Sequence, residues 1–342
     1  MKRISGITYL KAFLPLLVIA CHIRPFGNSG FMSFPFPKFP DLKDIFYINI
    51  CSVAVPLFFL VSFFLYLKKR DRTENHFRLC VSRASYFLGV FVLVRIIYYF
   101  FKIGNIRVAG RGLFKNTYAL VFGGGDTLLY YLELSVYFIV FLEVYSFFLE
   151  KNKANKNLFN LIGFCFSLLL ISLLYFIPND TVKTEFLRFY SPVGFLPYIF
   201  GASYIYENRE VLKSGFLYLL LVVGVGFAVF EWAFLPDPVF LKAGFSFAIP
   251  SYGRVSLVLV SVALFGLCLK IKHKPTRFTE YLATLSLYVY CIHQIIISSL
   301  PSYLSAYPHI GYCVVVLVTY LLSAFVCFVI KTLKPHFNLK KS

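Results

Sequence analysis

Long apolar segments recur along the whole chain and alternate with short stretches that hold most of its charged residues. A helix that crosses about 30 Å of hydrocarbon needs roughly 20 mostly apolar residues. We predict one membrane-spanning helix over each of ten segments: 7–23, 45–67, 84–101, 127–149, 157–177, 189–206, 214–235, 255–269, 281–300 and 310–330. The eighth segment is the shortest. The chain is thus predicted to be an all-α integral membrane protein, a polytopic bundle of about ten transmembrane helices.

The distribution of charge supports this prediction and sets an orientation. Hydrophobic residues make up 59% of the 342 residues, more than a soluble core accommodates, and charged residues only 14%. The net charge of +19 comes from Lys and Arg residues clustered between the apolar segments, so nucleic acid is not expected as a partner. More than half of the 34 basic residues fall on the side that holds both termini. Both termini are therefore expected in the cytoplasm.

The first apolar segment is expected to remain in the protein as a span. No small-residue cleavage site follows it, and Pro15 lies within it, unlike a removed signal peptide. The eight cysteines lie mostly within apolar segments or on the predicted cytoplasmic side, without the spacing of a zinc site. Unpaired structural cysteines and no metal are expected, with a bridge between Cys21 and Cys51 as an alternative.

Seven ionisable side chains lie inside predicted spans and limit where chemistry can occur. A charged group at the centre of a transmembrane helix costs about 2.5–3.5 kcal/mol on insertion scales. Each of the seven is therefore expected to face the bundle interior, a partner or a water-filled cavity. They are Lys11, His22, Arg95, Glu133, Glu143, Glu231 and His293.

Lys11 and His22 are predicted to share one face of the first span. They are eleven positions apart, and eleven steps of 100° come within about 20° of three full turns, over a rise of about 16 Å. A cation near the cytoplasmic end and a titratable imidazole near the outer end suit a site that holds an anionic donor and activates an acceptor. Alternatively, Lys11 snorkels to the inner interface and His22 caps the helix end.

The other intramembrane groups allow more than one role. Glu133, in the run LLYYLEL, serves either catalysis or a structural ion pair with a cation such as Arg95. Glu143 lies about 80° from Glu133 around a helix, so the two do not form an acid–base pair on one face. His293 is either a hydrogen-bonded core histidine or a functional one. Glu231 is interpreted as a residue near the outer interface.

Three stretches together resemble the membrane acyltransferase-3 family, which includes bacterial O-antigen acetylases and the acetyl or succinyl modifiers of surface polysaccharides. Lys11, ten residues and His22 are similar to the family's first helix, which has Arg or Lys, ten residues and His. Residues 52–70, SVAVPLFFLVSFFLYLKKR, resemble its aromatic second helix and basic loop. Residues 283–297, ATLSLYVYCIHQIII, resemble its late Ser-aromatic-His helix. Because this order holds over nearly the whole chain, 1–342 is expected to form a single acyltransferase-3-like transmembrane domain.

The chain departs from the family pattern at positions that concern substrate contacts. Ser62 in the second helix is followed by Phe63, where the family often has glycine. Cys80 stands at the first position of the family's cytoplasmic Arg-x-x-Arg pair and Arg83 at the second. Arg78 is therefore the candidate that replaces the first arginine.

The resemblance implies acyl transfer from a cytoplasmic acyl-CoA, in the first instance acetyl-CoA, to a hydroxyl of a surface or lipid-linked glycan. The acyl-CoA would be a co-substrate, with no bound cofactor, and the protein would lie among the lipids of a bacterial inner membrane. His22 would be the general base on the acceptor hydroxyl. Donor phosphates would be held by Lys11, Arg83 and Arg78, together with the basic cluster 68–72. The residues that would line the cavity or orient His22 are Tyr131, Glu133, His293 and Ser62.

A transporter or flippase for a lipid-linked sugar or a polysaccharide is the alternative function. It would use the same polar interior for passage and not for chemistry. Transporters often show repeated halves and pairs of interrupted helices, and the sequence has neither clearly. The spacing of residues alone therefore favours an enzyme only weakly.

Overall fold

The computed structural model describes residues 4–26, 31–32, 39–40, 45–103, 129–176, 191–234, 252–299 and 307–338. Within these ranges lie ten α-helices, one for each predicted span, so the all-α membrane fold is confirmed. They are α1 (Ser5–Ile23), α2 (Ala54–Arg70), α3 (His76–Ile103), α4 (Tyr130–Lys151), α5 (Lys156–Phe176), α6 (Leu196–Asn208), α7 (Ser214–Phe234), α8 (Val255–Leu269), α9 (Arg277–Ser298) and α10 (Pro308–Asn338). All except α6 and α8 lie in segments that have the length and composition to cross a membrane.

Prolines explain where two of the spans begin. A 3₁₀ turn over Pro192–Phe195 precedes α6, and Pro197 lies in the first turn of α6, where a missing N–H is tolerated. The α-helical part of the sixth span, with 13 residues in α6, is therefore shorter than α8, with 15 residues. Likewise the second span starts as a π-helical segment, Ile45–Ile50, and a 3₁₀ turn before α2, which carries Pro56 in its first turn.

A two-residue ribbon is the described exception to the helical fold. Phe31–Met32 pairs in antiparallel fashion with Phe39–Pro40, with Phe31 opposite Pro40 and Met32 opposite Phe39. A pairing this short contributes little stability by itself. The ribbon therefore leaves the fold class unchanged.

The chain divides into two compact units, of which the first contains residues 1–29 and 271–342. Helices α1, α9 and α10 of this unit pack on one another pairwise. Their contact buries an apolar core that contains Ile19 of α1, Leu285 and Val289 of α9, and Val315 and Cys327 of α10. Helices from the two ends of the sequence thus build this unit together.

The second unit contains residues 30–270 and is organised around α2. Thirteen of the 17 residues of α2 are buried, and α2 packs against α4, α6 and α8. Helices α3, α5 and α7 pack on α4, α6 and α8 respectively and present large apolar side chains outward, such as Leu93, Phe166 and Val222. Outward apolar faces of this extent are typical of a multi-pass membrane protein, whose outer helices contact lipid.

Candidate active site

His22 lies in the last turn of α1, and the local sequence determines that position. The helix ends at Ile23 because Arg24 adopts a left-handed conformation with φ of 54°, and Pro25 follows it. The C-terminal turn of a helix carries a partial negative charge that stabilises a nearby cation by about 0.3–1 kcal/mol. The His22 side chain therefore lies at the C-terminal end of α1.

Pro15 interrupts the hydrogen-bond ladder of α1 between the two predicted site residues. A proline has no N–H to donate to the carbonyl one turn earlier. Two tyrosines of α10 donate to backbone carbonyls on either side of it: Tyr320 Oη to Ala12 O at 3.4 Å and Tyr312 Oη to Leu16 O at 3.3 Å. Helix α10 therefore holds the backbone of α1 in place around the proline.

His22 and His293 come together in the first unit. Their ring centroids are 5.5 Å apart and the ring planes are inclined by 28°, an offset stack. His22 is exposed at the surface of the protein, whereas His293, on α9, is only 1% exposed. The family resemblance implied that His293 lines the cavity or orients His22, but no spacing rule gives the contact between residues on different helices. The structure therefore adds the pairing to the prediction.

His293 has a defined tautomer in this arrangement. Its Nδ1 lies 2.6 Å from the backbone carbonyl oxygen of Tyr290. A carbonyl can only accept, so Nδ1 carries the hydrogen and Nε2 is left with a lone pair. Nε2 is buried and has no hydrogen-bond partner in the part of the chain that the structure describes. His293 therefore holds an unused acceptor next to His22.

Lys11 lies on α1, half-buried, with continuous helix between it and His22. The predicted one-face relation thus applies to the observed helix, with about 16 Å of rise between the two residues. One turn of α1 also anchors the segment before α9: Tyr9 Oη lies 2.9 Å from His273 Nδ1 and 3.2 Å from the carbonyl oxygen of Lys274. Sequence analysis did not single out Tyr9.

Arg78 and Arg83 lie in the second unit, in the first two turns of α3, and both are exposed. The backbone N–H of Arg78 donates to Asn75 Oδ1 at 2.8 Å, a cap for the start of this helix. Five residues of helix place the two arginines about 140° apart around α3, so they do not share a face. Cys80, between them, is buried, with Sγ 4.0 Å from the carbonyl oxygen of Ile139.

Ser62 and Tyr131, two predicted cavity residues of the second unit, are in direct contact. Their hydroxyl oxygens are 2.6 Å apart, which joins α2 to α4. The rings of Phe59 and Phe58 lie 4.8 Å and 5.9 Å from that of Tyr131. The hydroxyl pair is thus a polar contact within an aromatic cluster.

Glu133, the remaining predicted residue, is buried near the start of α4. Its Oε1 accepts a hydrogen bond from Tyr137 Oη at 3.3 Å. Arg95 is buried on α3, which packs on α4, and its guanidinium lies 5.7 Å from the ring centroid of Phe91. Both charged groups are therefore inside the unit and away from lipid, as the cost of intramembrane charge requires.

Arg70 forms an ion-pair network that the sequence analysis missed. Its Nε lies 3.1 Å from Glu143 Oε2 and its Nη1 2.6 Å from Glu150 Oε1, while Tyr66 Oη donates to Glu143 at 2.6 Å. Asp71, the next residue, accepts a hydrogen bond from the tyrosine at position 206. Two carboxylates neutralise the Arg70 guanidinium, so within the basic cluster 68–72 this residue is unsuited to hold a donor phosphate.

Glu231, near the end of α7, is buried within the protein and paired with a cation. Its side chain is 5% exposed and that of Arg254 1% exposed, and Arg254 Nε lies 3.1 Å from Glu231 Oε2. The backbone N–H and the hydroxyl of Ser256 also donate to this carboxylate. The pair joins α7 to the start of α8 and leaves no oxygen of Glu231 without a donor.

The candidate residues do not form a metal centre in the described ranges. No three His, Cys, Asp or Glu side chains there lie close enough to hold a metal ion. No disulfide bond joins any of the cysteines, all of which lie in the described ranges, so the alternative of a bridge between Cys21 and Cys51 is wrong.

Comparison with known proteins gives the family of the chain. The family profile described as an acyltransferase domain matches residues 4–331. Proteins of Staphylococcus aureus strains MRSA252 and MSSA476, each named as a probable poly-beta-1,6-N-acetyl-D-glucosamine export protein, are 22% identical over 315 residues, which cover 89% of this chain and 85% of each relative. No solved structure matches the chain. Because the profile spans nearly all of the sequence, the chain belongs to the acyltransferase-3 family of membrane proteins.

Proposed function

We propose that the protein is a membrane-bound acyltransferase that moves an acyl group, in the first instance acetyl, from acyl-CoA to a hydroxyl of a surface or lipid-linked glycan. It would act in a bacterial inner membrane with both termini in the cytoplasm. The observation that carries the proposal is the histidine pair: an exposed His22 backed by a buried His293 on a neighbouring helix. Transfer to a hydroxyl requires a base, and an accessible imidazole supported from behind meets that requirement.

His22 is the general base in this proposal. A glycan hydroxyl is a poor nucleophile until its proton has an acceptor. As the hydroxyl oxygen bonds to the thioester carbonyl carbon, its proton passes to the His22 imidazole. The carbon–sulfur bond then breaks, and the imidazolium returns the proton to the departing thiolate of CoA. The last turn of α1 stabilises the imidazolium formed in between.

Lys11, Arg78 and Arg83 are proposed to bind the anionic part of the donor. Ammonium and guanidinium groups are the usual protein partners of phosphate oxygens. If a donor phosphate lies at Lys11, the thioester of the donor must lie about 16 Å further along α1 to reach His22. Because CoA carries several phosphates, and Arg78 and Arg83 face different directions on α3, the two arginines are expected to contact separate phosphates.

Replacing Lys11 tests the donor role. We expect Lys11→Ala to raise the KM for acyl-CoA by about tenfold or more, since a hydrogen bond to a charged group contributes about 1.5–3 kcal/mol. Lys11→Arg keeps the positive charge and should stay within a few-fold of the unchanged protein. The measurement is the initial rate of transfer at varied acyl-CoA concentration. An unchanged KM in Lys11→Ala, with less protein inserted in the membrane, would instead assign Lys11 to the interface.

Export of a glycan is the second candidate function, because the named relatives are called probable poly-beta-1,6-N-acetyl-D-glucosamine export proteins. In that case the buried polar groups would line a path for the polymer and no acyl group would be transferred. The family to which the chain belongs favours transfer.

The two functions separate in one experiment. The producing cell is compared with a strain that lacks the gene and with a strain in which the gene is restored. Ester-linked acyl groups on the surface glycan and the total amount of surface glycan are measured in each. Loss of the esters with the polymer still at the surface supports acyl transfer. Loss of surface polymer, with the acyl content of the retained polymer unchanged, would contradict it and favour export.

A further inference from the structure

The Nε2 atom of His293 is a buried polar atom that the proton transfers of the proposed mechanism do not use. A buried histidine that only supports the core normally has both ring nitrogens hydrogen-bonded. Here Nδ1 is satisfied by the carbonyl of Tyr290, whereas Nε2 is buried without a partner among the described residues. Leaving a buried acceptor unsatisfied costs about 1–3 kcal/mol. A purely structural role does not account for that cost.

The surroundings of His293 restrict which groups can donate a hydrogen bond to its Nε2 atom. The core of this unit near α9 is apolar, with Leu285, Val289 and Val315 among its members. The ring of His22 is stacked on that of His293 and belongs to an accessible residue. Because Nδ1–H is directed to the Tyr290 carbonyl, Nε2 can serve only as an acceptor while His293 is neutral.

We propose that His293 is a positioning residue for His22. Its Nε2 accepts a hydrogen bond from the ring N–H of His22 that faces away from the substrate. This bond fixes the tautomer in which the other His22 nitrogen is the base, and it stabilises the imidazolium after proton uptake. The inference rests on the proposed function, since it assigns a role towards the same base.

Because the two rings are stacked, the proposed hydrogen bond requires a rotation of the His22 ring or a bridging water. Rings inclined by 28° do not direct an N–H of one at a ring nitrogen of the other. A turn of the His22 ring about its terminal side-chain torsion, which is broad in histidine, or one bridging water completes the bond. His293 exchanges no proton in this scheme: the hydroxyl proton goes to His22 and from there to the CoA thiolate.

Two substitutions distinguish the contribution of the Nε2 lone pair to kcat from that of the aromatic ring. His293→Phe keeps an aromatic ring for stacking but removes the acceptor, and we expect kcat to fall by about 10- to 100-fold, a part of the roughly 10²–10⁴-fold that a positioned base contributes. The KM for acyl-CoA should not change. His293→Gln places an amide oxygen near the position of Nε2, and it should recover at least a few-fold of the lost kcat. The measurement is steady-state transfer by the full-length protein in membrane vesicles.

The controls make each outcome decisive. His309→Phe makes the same exchange at an exposed position of α10 and should leave kcat unchanged. If the Phe variant does not fold, His293→Met replaces it as an apolar side chain that adapts to its surroundings. In a His22→Ala background, loss of His293 should lower the residual rate by less than twofold, because the two residues act as a unit.

Two results would overturn the inference: a folded Phe or Met variant with kcat within twofold of the unchanged protein, or a Gln variant no faster than Phe. Either can occur while His22→Ala is inactive, which leaves the proposed function intact. Full acylation by His22→Ala would instead refute the assignment of His22 as the base, on which the inference rests.

Discussion

Replacement of His22 by alanine is expected to lower the rate of glycan acylation by about 10²–10⁴-fold, the usual contribution of a positioned general base. The residue lies on the exposed surface at the end of α1, so its removal leaves no cavity in the core. The amount of protein in the membrane and its thermal unfolding midpoint should therefore remain as they were. The measurement is the appearance of ester-linked acyl groups on a glycan acceptor, in membrane vesicles supplied with labelled acyl-CoA.

A matched histidine distinguishes this effect from a general loss of activity. His309 is also exposed and belongs to the same unit, and His309→Ala should acylate at the normal rate. The loss in His22→Ala should appear in kcat, since donor binding is assigned to other residues. Normal acylation by a correctly inserted His22→Ala protein would exclude His22 as the base and would assign proton removal to another group.

The helices could be predicted from the sequence because their signal is local. Each apolar segment is long enough to be recognised as a membrane span, and each of the ten corresponds to a helix in the structure. The sequence did not predict where prolines change the type of helix. Pro192 and Pro197 turn the beginning of the sixth span into a 3₁₀ segment followed by a short helix, a difference that hydrophobicity does not report.

The candidate site could be predicted only in part, for a related reason. Lys11 and His22 lie on one helix, so their spacing defines a shared face. The partner of His22 lies on α9, near the other end of the chain, and the stacking of His22 on His293 depends on how α1 packs against α9. No periodicity in the sequence carries that information. The family resemblance implied that His293 lines the cavity or orients His22, but it did not give the stacking of the two rings.

The Arg70 network had a signal that the sequence analysis did not use. Glu143 and Glu150 are seven residues apart, which places both carboxylates within about 20° of each other on one face of a helix. Two acidic groups on one face near a membrane boundary require a cation, and Arg70 ends a neighbouring span. Pairing carboxylates with basic residues at equivalent depths would have found this contact.

Removal of Arg254 is the second large effect that we expect, and it concerns stability. Arg254→Met leaves the Glu231 carboxylate buried without its cation, and breaking a buried pair in this way costs about 3–5 kcal/mol. The Ser256 donors to Glu231 remain, but they do not supply a positive charge. The thermal unfolding midpoint of the purified protein in detergent should fall by several degrees. The acylation rate should fall only in proportion to the amount of folded protein.

A double variant shows whether the lower unfolding midpoint comes from losing the ion pair or from leaving one charge buried without its partner. Arg254→Met combined with Glu231→Met removes both charges and fills the space with apolar groups, which is often neutral for a buried ion pair. We expect this double variant to unfold at a higher temperature than either single variant, a coupling that independent sites would not show. Arg277→Met, at an exposed arginine, controls for loss of positive charge alone. Equal midpoints for Arg254→Met and the unchanged protein would mean that the Ser256 donors alone stabilise Glu231, and that the ion pair contributes little to holding α7 on α8.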